Sequence, residues 1–196
     1  MKLKRSVFLA ISLSAGLSAP PAIASGIDAS AVLTSKPAGG DFDYSITLTN
    51  SSASPNPIGT FWFGWVPGAD FMPTKPSNIT TPTGWVELVT NGGPSDGFGI
   101  QFVDKTGPLL APGSSLSGFG FTSASTPAQL AGDSPFYPGT PATTSFVYNG
   151  AHFSNFSDQF VVSVSSVPEP SSLILGLFGA ATSFGYLLFK KRKGTA

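Results

Sequence analysis

Tyr44-Ser45-Ile46-Thr47-Leu48-Thr49 alternates large apolar side chains with small hydroxyl side chains. Successive strand residues point to opposite sheet faces, so this spacing predicts a strand with one buried face. Asn50-Ser51-Ser52 and Pro55-Asn56-Pro57 then break the run. In the next run Phe61, Phe63 and Trp65 fall on one face, with Trp62 and Gly64 on the other, and Val66-Pro67-Gly68 predicts a turn. Further strands are expected at 85–90, 98–103, 116–122, 145–148 and 159–164, with a weaker one at 27–34. Asn91-Gly92-Gly93-Pro94, Gly107-Pro108, Pro112-Gly113 and Pro138-Gly139 separate them. Eight short strands with Gly/Pro turns predict a mainly β chain, two antiparallel sheets packed as a sandwich over residues 25–166. No stretch of that region sustains a 3.6-residue period with caps. Gly118 and Gly120 alternate with Phe119 and Phe121, giving one bulky and one bare face, the bare one under another backbone or a loop.

Composition agrees. Gly 23 and Pro 18 are abundant, and charged residues are only 10%, against roughly 25% in ordinary soluble domains. Hydrophobic residues at 41%, with 17 Phe, argue against disorder. The absence of Cys excludes disulfides, thiolate zinc sites and Cys nucleophiles. The net charge of zero conceals three unlike segments. Residues 25–166 hold Lys36, Lys75 and Lys105 against nine Asp and Glu. That acidic balance disfavours nucleic acid, which needs clustered cations.

All of the remaining cations sit at the two ends. Lys2, Lys4 and Arg5 precede an apolar stretch at 7–17, and Ala22-Ile23-Ala24 supplies small residues at the −3 and −1 positions of a signal peptidase site. A signal peptide over 1–24, cut after Ala24, is expected. Residues 171–189 are 19 residues without a charge. As a helix they would extend about 28 Å, close to a hydrocarbon core. Lys190, Lys191, Arg192 and Lys193 follow, which orients that end to the cytoplasm. One C-terminal transmembrane helix is therefore expected, in an inner-membrane intermediate.

Val167-Pro168-Glu169-Pro170 stands just before that span, and its two prolines force an extended segment. The order of proline-bracketed acid, apolar helix and basic tail (190–196) resembles the PEP-CTERM sorting signal of Gram-negative bacteria, over 167–196. The resemblance implies recognition at Val167, Pro168, Glu169 and Pro170 by exosortase, a membrane protease-transpeptidase, and delivery toward the cell surface. It implies nothing about activity. Leu110-Ala111-Pro112-Gly113-Ser114-Ser115-Leu116 loosely resembles the turn-strand units of immunoglobulin-like bacterial surface domains. An immunoglobulin-like or jelly-roll-like sandwich is thus expected.

Chemistry is sparse. His152 is the lone His, and no G-x-S-x-G elbow accompanies it, so no Ser-His-Asp triad and no catalytic residue is assigned. A His-based metal site lacks partners. Asp41 and Asp43 form a D-x-D without the spacing of a calcium loop, and read as solvated acids. No metal and no cofactor are expected. Asn50, Asn78 and Asn155 begin N-x-S/T sequons, which in a bacterium carry little weight. Trp62, Trp65 and Trp85, with Tyr137, are the candidate carbohydrate contacts; the preferred reading of the tryptophans is core. Three readings follow. The first is a non-enzymatic surface or matrix protein associated with exopolysaccharide. The second is a carbohydrate- or ligand-binding module, and the third an extracytoplasmic hydrolase.

Overall fold

The computed structural model describes residues 26–150, 156–157 and 159–166. The signal peptide, His152, Asn155, the 167–170 motif, the expected membrane helix and the basic tail lie outside the described residues. Among the described residues no helix is long and apolar enough to cross a membrane.

The strands run in chain order as β1 (Ala29–Ala38), β2 (Asp41–Asn50), β3 (Thr60–Phe63), β4 (Trp65–Val66), β5 (Ala69–Asp70) and β6 (Ser77–Thr80). They continue as β7 (Trp85–Asn91), β8 (Phe98–Asp104), β9 (Ser115–Ser123), then a short helix α1 (Pro127–Ala131), β10 (Thr144–Tyr148), β11 (Phe160–Val161) and β12 (Ser163–Ser166). Two five-stranded sheets form, ordered β12-β1-β2-β9-β6 and β11-β10-β3-β8-β7, with β4-β5 as a small ribbon. All eight expected runs are found as strands.

Four details differ from the sequence reading, each for a local reason. The weak first run becomes a ten-residue strand, because Gly39 and Gly40 at φ 62° and 107° close a two-residue hairpin that pairs Ala38 with Asp41. The last run splits. Phe160 and Val161 pair with β10, Val162 is buried, and 163–166 pair with β1. That β1–β12 pair is parallel, so the first sheet is not wholly antiparallel. The short β4, β5 and β6 carry no alternation long enough to read. Finally, α1 is one turn and a bit, set by a capping box in which Thr126 and Gln129 satisfy each other's backbone N–H.

The core lies between the sheets. Leu33, Ile46, Leu48 and Phe119 of the first sheet meet Phe61, Phe63, Ile100 and Phe102 of the second, all essentially inaccessible. Phe119 is the hub, edge-on to Phe61 at 5.7 Å, Phe102 at 5.0 Å and Trp85 at 5.1 Å. Each buried Phe contributes about 1.5–3 kcal/mol. The flanking glycines have the expected bare face. Gly118, at φ 105°, is the extra residue where the β2–β9 register slips, a bulge, and it lies beside Pro82. A side chain at Gly120 would strike the Tyr44 carbonyl and the Thr80 hydroxyl, because β2 and β6 run alongside on either side.

The outer faces differ in kind. On the first sheet, hydroxyls pair across strands, Thr47 with Ser117 at 2.9 Å and Thr49 with Ser115 at 2.7 Å. Asp43 accepts from Thr122 on the same sheet. The outer face of the second sheet is aromatic.

Candidate functional site

Strand β3 reads Thr-Phe-Trp-Phe. Phe61 and Phe63 point into the core, so Trp62 must point outward. Register places Trp62 between Phe146 of β10 and Gln101 of β8. Its indole Nε1 donates to the Tyr148 hydroxyl at 3.1 Å, and Gln101 Nε2 donates to the same oxygen at 3.2 Å. Two donors converging on one phenol fix the ring orientations.

Trp65 joins this outer group, not the inner one that strict alternation gives it. Gly64, at φ 65°, interrupts the strand and turns the chain over. A Cβ at Gly64 would sit 2.7 Å from Met72 Cγ, so there is no room for a side chain. Trp65 then lies on Trp62 with ring centroids 4.0 Å apart and planes 20° apart. It meets Phe146 edge-on at 6.3 Å. Gly99 leaves space for it: a Cβ there would be 3.0 Å from Trp65 Cβ. Phe156 stacks on Phe146 at 5.8 Å and is 54% exposed. Trp62 itself is buried and Trp65 half-buried.

The other candidates are placed elsewhere. Trp85 is 5% exposed and packs in the inter-sheet core against Phe119, so its ring is closed to any surface ligand. Tyr137 packs edge-on against Phe71 and bonds Asp96, and burial first, then Asp96, raise its pKa. Asn50 is wholly buried, its amide donating to the Asn56 and Leu110 carbonyls, which closes that sequon. Asp41 is exposed at the hairpin. Among the described residues no three His, Cys, Asp or Glu cluster as metal ligands.

Sequence reading missed Asp70. It is buried beside Asp96, accepts from Thr90 Oγ1 at 2.6 Å, and its own N–H donates to Asp96 Oδ1 at 2.9 Å. Burial, aided by the Asp96 charge, raises its carboxyl pKa; bonds from Thr90 and the Gly92 N–H oppose this. The Pro67-Gly68 turn that forms β4–β5 was legible, but not that it carries Asp70 inward.

No curated protein and no solved structure matches the chain. A family model described as the PEP-CTERM protein-sorting motif matches residues 166–193. The match begins at the last residue of β12, one residue before the Val167 expected from sequence. The chain therefore carries a PEP-CTERM protein-sorting motif, which supports an exported, C-terminally sorted protein and implies processing by exosortase at the membrane.

Proposed function

We propose that the chain is a non-enzymatic surface or matrix protein, delivered by its C-terminus to a Gram-negative cell surface in association with exopolysaccharide. Signal peptidase cuts after Ala24. The span at 171–189 holds the intermediate with Lys190, Lys191, Arg192 and Lys193 in the cytoplasm. Exosortase then recognises 167–170 and releases the β domain. The observation that supports this is the abutment of cargo and signal: the sorting motif starts where β12 ends. Mass spectrometry of surface material should find a species beginning near Ser25 and ending near Pro168. Recovery of only the full-length chain in the inner membrane would reject processing.

A second reading, a carbohydrate-binding module, is favoured by the Trp62–Trp65 stack on the outer face. The C–H face of a sugar ring packs on such an aromatic plane. Gln101, Phe146 and Tyr148 beside Trp62 carry no charge, and the Asp70 carboxyl opposite Trp65 is buried and bonded to Thr90, which suits a neutral glycan. In native gels cast with the host's exopolysaccharide, the protein should be retarded and Trp65→Ala should migrate freely. Equal mobility of the two proteins would remove this reading and leave the first intact.

A further inference from the structure

We propose that the outer edge of β7 is a self-association surface, where a second copy of this chain pairs antiparallel and continues the sheet. Among the described residues four strands form the edges of the two five-stranded sheets. Three of them are blunted as soluble proteins blunt exposed edges. β11 has two residues and β12 four. β6 has four, with a register break and Asn78 at φ 47°. β7 is different. It has seven residues and pairs with β8 without a slip from Trp85–Asp104 to Asn91–Phe98. It contains no Pro or Gly and one charge, Glu87, while Val86 and Leu88 are 42% and 56% exposed.

The hydrogen-bond phase identifies which groups face outward. Asp104, opposite Trp85, spends its N–H on the Gly59 carbonyl, away from β7. The Trp85 N–H goes to the Pro82 carbonyl, and its carbonyl accepts from Thr81 Oγ1. Antiparallel pairs alternate, so Val86, Leu88 and Thr90 bond β8, and the N–H and C=O of Glu87 and Val89 point off the sheet. A two-fold axis through Leu88 pairs Glu87 with Val89 of the second copy, twice. Those residues then exchange four backbone hydrogen bonds. The same register sets Leu88 against Leu88 and Val86 against Thr90, and keeps the two Glu87 carboxylates out of direct opposition. An axis through Glu87 would oppose like charges. This self-complementarity is why a second copy fits the edge.

One strand pair buries little area, so the contact is weak in dilute solution and gains when copies share a membrane or matrix. The chain has no Cys, so a single introduced thiol reports it. In a non-hydrogen-bonded antiparallel pair the Cα atoms are about 4.5 Å apart, within disulfide range. Full-length Leu88→Cys in membranes of producing cells, oxidised with copper-phenanthroline, should form disulfide dimers at least about tenfold faster than Val32→Cys. Val32 is 44% exposed but lies on β1, inside the other sheet. Adding Val89→Pro to Leu88→Cys removes an outward N–H while sparing the β8 ladder, and should abolish the dimer. Equal rates at positions 88 and 32 would overturn the proposal, even if the proline variant fails to fold. So would dimerisation that survives Val89→Pro. Absence of the Leu88→Cys dimer, the outcome if a different protein were seated on this edge, would overturn it as well.

Discussion

Gly64 shows how one residue sets a surface. Period-two reading assigns Trp65 to the core beside Phe61 and Phe63. A glycine at φ 65° reverses that assignment and builds the outer Trp62–Trp65 stack. Asp70 acts at the same scale, through its proton. Its carboxyl is raised above the ordinary 3.8 by burial. The native state therefore holds that proton more tightly than the unfolded chain. Stability falls as pH rises from 3.8 through the raised native value, and is level above it. Asp70→Asn cannot ionise. Thermal melts of the two proteins should thus diverge in the variant's favour across that window. A constant difference at every pH would mean that the Asp70 proton has no part in stability.

At the scale of elements, β9 is the strand on which the sandwich closes. Phe119 and Phe121 reach the opposite sheet, while Gly118, at φ 105°, forms the bulge and Gly120 lets β2 and β6 approach closely. At Gly120 an added Cβ lies 2.6 Å from the Tyr44 carbonyl and 2.7 Å from Thr80 Oγ1. Backbone cannot yield as a flexible side chain can. Gly120→Ala should cost about 1–3 kcal/mol, seen as a lower urea midpoint with unchanged slope. An unchanged midpoint would mean that β2 and β6 both move aside freely.

For the whole molecule, the final strands matter out of proportion to their length. β11 joins one sheet, Val162 crosses the core boundary, and β12 joins the other. A chain ending after Ser166 should keep a cooperative unfolding transition, and one ending after Gln159 should lose it. Burial of Val162 alone is worth about 1.5–3 kcal/mol and the partly buried Phe160 adds to it, a large part of the roughly 5–15 kcal/mol that holds a domain. Circular dichroism melts of the two truncations compare them directly. Retained cooperativity in the shorter chain would show that the sheets are locked elsewhere.

The strands of the body and the label at its end were legible because each is written locally. Alternation marks a strand within six residues, Gly-Pro pairs mark turns, and a proline-bracketed acid before an apolar run marks the sorting motif. Tertiary structure alone decided which strands became neighbours, that the last run would serve both sheets, that Trp65 would turn outward, and that Asp70 would be buried. Those outcomes depend on contacts between residues far apart in the chain. A period of two says that side chains alternate; only the opposing sheet says which side is inside.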